Sequence, residues 1–145
     1  MNKDTRLSDV LHVLLHMDRT EEPLASELLA RSMATKRPLF QRTMAGLREA
    51  GLVRTVKGRS GGWTLARPPE EITLLGVYRA LGCPSLASIG NRNQHTDCLL
   101  EKSVNSLVAG AMGGSASQFE KRLCEITLDQ IAPEAGVSTR MRDAM

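Results

Sequence analysis

Apolar residues recur at helical spacing in successive stretches of the chain, and the polar runs between those stretches are short. Leu7, Val10, Leu11, Leu14 and Met17 predict an amphipathic helix over residues 6–18, with that stripe turned inward. Its other side carries Asp9, His12 and His16. Two histidines four residues apart have the spacing of a metal pair, but no third ligand lies near them in sequence, so they read as solvated side chains. Pro23 is tolerated in a first helical turn, and Leu24, Leu28 and Leu29 predict a short second helix ending near Arg31. A brief turn, residues 32–35, leads to a third helix over residues 36–50. Leu39, Phe40, Thr43, Met44 and Leu47 share one of its faces, and Gly51 terminates it. Thr35 is the natural N-cap of this helix, and Pro38 is admissible because first-turn amides have no helical acceptor.

After Gly51 the period shortens. Residues 52–56 and 63–66 are β-prone runs separated by Lys57-Gly58-Arg59-Ser60-Gly61-Gly62, a glycine-bearing hairpin. Two helices joined by a tight turn and followed by such a hairpin have the layout of a winged helix-turn-helix, in which the second helix of the pair reads DNA. The hairpin glycines let the backbone approach a phosphate chain, and Arg54, Lys57, Arg59 and Arg67 supply charge-assisted contacts to it. The spacing Gly-x-x-x-x-Gly-Lys-(Ser/Thr) is missing, so the loop is not a nucleotide-binding P-loop.

Pro68-Pro69 closes the winged unit, and residues 72–81 predict a further helix with Leu75, Tyr78 and Ala80 available for packing. Residues 82–97 are rich in Gly, Ser and Asn and read as a loop. From Cys98 the stripe Leu100, Val104, Leu107, Val108 and Ala111 predicts another amphipathic helix, and Phe119, Leu123 and Ile126 continue the pattern. Gly110, Gly113 and Gly114 fall between these runs, and Ser115 with Gln118 makes a capping box suited to a restart. The pattern fits two helices or one kinked helix. Its apolar stripe is expected to bury against a second copy of the chain, with packing on its own domain as the alternative. The fold expected is mainly α with a small β-hairpin. Residues 1–82 would form a winged helix-turn-helix DNA-binding domain, 83–97 a flexible sensor loop, and 98–145 a dimerisation helix with a C-terminal tail.

Composition narrows the classes. Hydrophobic residues make up 41% and charged residues 24%, which is globular rather than disordered, and 145 residues are too few for a large enzyme. Aromatic residues are only 3% of the chain, so its core must be built from aliphatic side chains and methionine, which suits helices. The first residues lack the pattern of a secretory signal and no apolar run approaches the roughly 20 residues of a membrane span, so a cytoplasmic protein with no membrane partner is expected. Net charge is +3, but residues 1–67 carry +5 and residues 68–145 carry −2. Between residues 31 and 67 nine basic residues face the single acid Glu49. Such clustering is the footprint of a polyanion partner, although on charge alone a solvated basic surface fits equally well.

The run LREAGLVRTVKGRSGGWTLARPPEEITL, from Leu47 to Leu74, resembles the signature of the IscR/NsrR/CymR (BadM-type) family of bacterial winged-helix transcription factors. The stretch Thr35 to Gln41, with its proline at Pro38, is most similar to the YwnA-like branch of that family. The resemblance implies a homodimer whose long C-terminal helices cross, setting two recognition helices in successive major grooves of a pseudo-palindromic double-stranded operator. It also implies a transcriptional regulator, expected to act as a repressor, and roles for particular residues. Thr35, Lys36, Arg37, Leu39, Gln41 and Arg42 would face the major groove, with Arg37, Gln41 and Arg42 the candidate base readers or else phosphate contacts. Lys57, Arg59, Ser60 and Gly61 at the wing would reach phosphates or the minor groove, and Arg6 and Ser8 the backbone. Trp63 would pack in the core under the wing, with stacking on a sugar or a base as the alternative.

Members that sense nitric oxide, iron or redox state often hold an iron–sulfur cluster on three closely spaced cysteines before the long helix. Here only Cys98 lies at such a place. Cys83 is 15 residues earlier and Cys124 is 26 later, so no bound cofactor is expected, with a cluster using His95 or Asp97 as the alternative. A thiol switch fits better: Cys98 lies near a predicted helix N-terminus, which favours thiolate, and Cys83 lies in the preceding loop. Cys124, beside Leu123 and Ile126, is expected in the core, and three packed thiols without a sensing role remain the alternative. No Cys-x-x-Cys accompanies Gly82-Cys83-Pro84 and no catalytic base is evident, so an enzyme is not expected. A winged-helix interaction module that has lost DNA binding is the other reading.

Overall fold

Helix α1 (Arg6–Asp18) forms on the expected stripe and buries Val10, Val13, Leu14 and Met17. It opens a computed structural model that describes residues 4–84 and 97–131. His16 is also buried, with its Nε2 3.0 Å from Nε2 of His12 and the two rings edge to face. The expectation of two solvated histidines therefore holds for His12 alone. One residue before Met17 and about one turn after the buried Val13, His16 lies close enough to the inward stripe to be covered.

The second helix starts later than expected. Leu24 pairs with Trp63 instead, donating its N–H to the Trp63 carbonyl at 2.9 Å and accepting from the Trp63 N–H at 2.8 Å, so α2 runs over Ser26–Ser32. A strand-like pairing and a helical φ/ψ exclude each other at Leu24, and the pairing to the hairpin prevails. Helix α3 (Arg37–Glu49) follows, burying Phe40, Thr43, Met44 and Leu47. Lys36, in an extended conformation, occupies the N-cap position expected for Thr35, and no side chain caps the helix. Gly51 ends α3 at φ +75°, the left-handed conformation that glycine adopts without penalty.

Strands β1 (Val53–Val56) and β2 (Gly62–Leu65) pair antiparallel, Val53 opposite Leu65 and Val56 opposite Gly62. A 3₁₀ turn at Pro69–Glu71 precedes α4 (Leu74–Ala80), capped by Thr73, whose Oγ1 accepts the Gly76 N–H at 3.0 Å. Helix α5 (Leu99–Glu125) is continuous. It passes through Gly110, Gly113 and Gly114 with none of them at positive φ, so the break and restart do not occur. Each glycine weakens a helix by about 1 kcal/mol relative to alanine without forcing it to end.

The described chain divides into two units, Met1–Pro84 with Cys124–Met145, and Ser85–Leu123. The core of the first unit joins the buried residues of α1, α2 and α3 to Leu24, Val53, Ile72, Val77 and Leu128. Leu128 enters it from a 3₁₀ turn at Leu128–Gln130, where Leu74 donates to the Ile126 carbonyl and Leu128 to the Ile72 carbonyl. The segment after α5 is thus stitched to the winged unit. In the second unit α5 exposes Leu99, Leu100, Val104 and Leu107. Residues 85–96 of the expected sensor loop, His95 among them, and the tail beyond residue 131 lie outside the described residues.

Candidate nucleic-acid interface

The inward face of α3 fixes what its outer surface presents. With Phe40, Thr43, Met44 and Leu47 buried, the helical period sends Arg37, Gln41 and Arg48 to one flank and Leu39 and Arg42 to the other. The first flank lines a cleft of about 930 Å³ shared with Ser26, Arg31 and Trp63. The second borders a smaller cleft of about 390 Å³ with Arg6, Glu49 and Gly82. Lys36, Arg37, Gln41 and Arg42 are exposed, Thr35 is half-buried at the edge of the larger cleft, and Leu39 is 40% exposed despite its apolar side chain. The candidate readers thus occupy two flanks rather than one row, with Arg37 and Gln41 on the flank away from Arg42.

With no side chain capping α3, its first-turn N–H groups and the positive end of its dipole face outward among these cations, an arrangement that favours an anion. The wing adds a second cationic surface. Arg54, Lys57, Arg59 and Ser60 are exposed on or beyond the strands. Gly58, at φ +113°, turns the tip, and the Gly61 N–H closes it by donating to the Gly58 carbonyl at 3.0 Å. Gly61 is half-buried, and a Cβ there would lie 2.3 Å from the Val56 carbonyl oxygen, so its place is to shape the tip. Trp63 is half-buried, packs against the core and donates its indole N–H to Ser26 Oγ at 2.9 Å, in keeping with a place under the wing.

Arg6 and Ser8 sit at the start of α1, Ser8 exposed and Arg6 half-buried. The Arg6 guanidinium donates to both carboxylate oxygens of Asp4, with Nη2 2.7 Å from Oδ2. These side-chain hydrogen bonds, together with the Arg6 backbone N–H, hold the Asp4 carboxyl below its ordinary range. Residue-by-residue reading missed Arg31 and Arg48, which the fold brings into the larger cleft beside Arg37. The periodicity of α3 carries the signal for Arg48, since positions 37, 41 and 48 lie on one helical flank.

Cys98 immediately precedes α5, and its carbonyl accepts the Lys102 N–H at 3.0 Å, so the thiol lies at the helix start as expected. Cys83 follows Gly82 with φ +54°, a conformation that costs a non-glycine residue about 1–2 kcal/mol. Both are exposed thiols. Cys124 is exposed too, contrary to the expected core position: one residue past the buried Leu123, it is turned about 100° around the helix. Cys98 immediately precedes, and Cys124 lies in the last turn of, a 27-residue helix about 40 Å long, so one iron–sulfur cluster cannot take both from a single chain. Among the described residues no three His, Cys, Asp or Glu side chains are grouped to hold a metal. These residues do not fit a cluster held by three thiolates of one chain.

Residues 3–134 match the family model Rrf2, described as an iron-dependent transcriptional regulator. The chain belongs to the Rrf2 family. YwgB of Bacillus subtilis (strain 168), which carries the name of an HTH-type transcriptional regulator, is 30% identical over 83 residues, 56% of this chain and 53% of YwgB. The chain thus spans about half the length of the curated relatives it matches. Among solved structures, IscR of T. potens superposes with a TM-score of 0.61 at 26% identity, covering 95% of this chain and 93% of that one. CymR (YrzC), the global cysteine regulator of B. subtilis, does so at 0.54 and 20% identity over 89% and 94% of the two chains, a likeness of fold. The winged-helix architecture expected from the helix and hairpin pattern, and from the resemblance of Leu47 to Leu74 to the IscR/NsrR/CymR family, is the one observed, a mainly helical chain with a two-stranded antiparallel hairpin. No helix among the described residues is long and apolar enough to cross a membrane.

Proposed function

We propose that this Rrf2-family chain is a cytoplasmic homodimeric regulator, not an enzyme, that binds double-stranded operator DNA and represses transcription. The observation that carries the reading is the exposed cationic surface of α3 and the wing: Lys36, Arg37, Arg42, Lys57 and Arg59 are exposed and have no ion-pair partner among the described residues. Arg37, Gln41 and Arg42 read bases from the two flanks of α3. Thr35, Lys36 and Leu39 border the same groove, while Lys57, Arg59 and Ser60 hold phosphates and Arg6 and Ser8 the neighbouring backbone. The exposed stripe Leu99, Leu100, Val104 and Leu107 on α5 supports dimerisation through that helix, since four large apolar side chains along one helix rarely remain in water.

The signal is a thiol oxidation. Hydrogen peroxide accepts two electrons and two protons from the Cys83 and Cys98 thiols, its O–O bond breaking to give two water molecules as one disulfide forms within or between protomers. Cys98 at the start of α5 is the favoured thiolate because the helix dipole stabilises its charge. The test is a salt-titrated gel shift with the region upstream of its own gene. Specific binding that weakens steeply with salt and changes on peroxide treatment is expected. Absence of binding would leave an interaction module, and an unaltered peroxide response in Cys98→Ser would remove the switch.

A further inference from the structure

Arg31 lies in the last turn of α2 and Arg48 in the last turn of α3, and both line the cleft that holds Arg37. All three are exposed, none has an ion-pair partner among the described residues, and the single acid lining the cleft is Glu27. A cation at a helix C-terminus is favoured by the dipole, which accounts for either arginine alone. It does not account for the convergence of two different helix ends on one cationic cleft.

Helix length indicates what the cleft meets. Arg48 follows Arg37 by eleven positions, about 16 Å along the axis, and α3 as a whole is about 20 Å long. The major groove of B-DNA is about 12 Å wide. With the first turns of α3 against base edges, its last turn overruns the groove and lies at the level of the flanking phosphates.

We propose, resting on the DNA-binding reading above, that Arg31 and Arg48 grip the phosphate strand bordering the groove that Arg37 and Gln41 read. They set the register of the protein on DNA and carry no base preference.

Arg31→Gln and Arg48→Gln are compared with the wild type in salt titrations on two duplexes, one carrying the region upstream of its own gene and one of scrambled sequence. Because the homodimer carries each arginine twice, each variant is expected to lower the slope of log affinity against log salt by about 1.8, twice the roughly 0.9 of one phosphate contact, and to weaken binding to both duplexes by the same factor. Arg48→Lys, which keeps a point charge on an exposed site, is expected to retain the slope. Slopes unchanged in both Gln variants, or an Arg48→Gln variant that alters the preference between duplexes, would overturn the assignment. A wild-type chain that binds neither duplex would instead overturn the DNA-binding reading itself.

Discussion

Trp63 in β2 donates its indole N–H to Ser26 Oγ at 2.9 Å, joining the wing to the first turn of α2 across 37 residues of sequence. Beside it, Leu24 and Trp63 exchange backbone hydrogen bonds. Three hydrogen bonds at one place therefore tie the wing to the start of α2. Ser26→Ala and Trp63→Phe should each lower stability by about 1 kcal/mol in urea unfolding, and the double variant should cost less than the two combined. Strict additivity would show that the hydrogen bond contributes nothing.

A glycine is required where these strands meet. A Cβ on Gly62 would lie 2.3 Å from the Leu24 carbonyl oxygen, inside any tolerable contact, and the obstruction is backbone. Gly62→Ala should destabilise the protein by about 2–3 kcal/mol and weaken DNA binding through the displaced wing. A variant with an unshifted unfolding midpoint would mean that the pairing at Leu24 is dispensable.

Ala34, in the turn between α2 and α3, sits at φ +49°, a left-handed conformation that its Cβ disfavours. Ala34→Gly should stabilise the chain by about 1 kcal/mol, raising the thermal midpoint by several degrees. A lowered midpoint would show that the cost of glycine's extra freedom in the unfolded chain exceeds the strain relieved.

Asp4 neutralises Arg6, and its lowered carboxyl pKa gives the pair a definite pH dependence. The folded pKa is below the unfolded one, so the stabilisation is present above the ordinary aspartate value and is lost as pH falls through the folded value. Both side chains are more than a third exposed, so Asp4→Asn should cost about 0.5 kcal/mol or less at neutral pH, and less in high salt. The same substitution releases Arg6 and should raise DNA affinity a few-fold in a low-salt gel shift. Unchanged affinity would remove Arg6 from the interface.

On α5, Leu100 is 80% and Leu107 77% exposed in the single chain. Leu100→Asp combined with Leu107→Asp should yield monomers by sedimentation, unchanged helical content, and operator binding weakened by an order of magnitude or more. A dimer that survives both substitutions would place the dimer contact elsewhere.

The winged layout was legible because its cues are local: the apolar period of α1 and α3, Gly51 at the end of α3, and the glycine hairpin between two β-prone runs. The departures arise where distant residues decide. Leu24 fits a helical stripe, and only its pairing with Trp63 removes it from α2. Thr35 looks like a cap until the extended Lys36 occupies that position. His16 and Cys124 changed exposure because a one-residue difference in helical phase is finer than a stripe of alternating character can resolve. Of the candidate interface, the charges were legible one by one. Their division between two flanks, and the meeting of Arg31 with Arg37 and Arg48 in one cleft, depended on where α2 packs.

The backbone exchange at Leu24 also bears on solubility. A two-stranded ribbon offers two open edges, and an open edge is a template for foreign strands. Leu24 occupies part of the edge of β2, while exposed Arg54 and the neighbouring Lys57 put charge on β1. A variant that frees the edge of β2 should therefore be prone to edge-to-edge aggregation at concentrations where the parent chain stays dispersed.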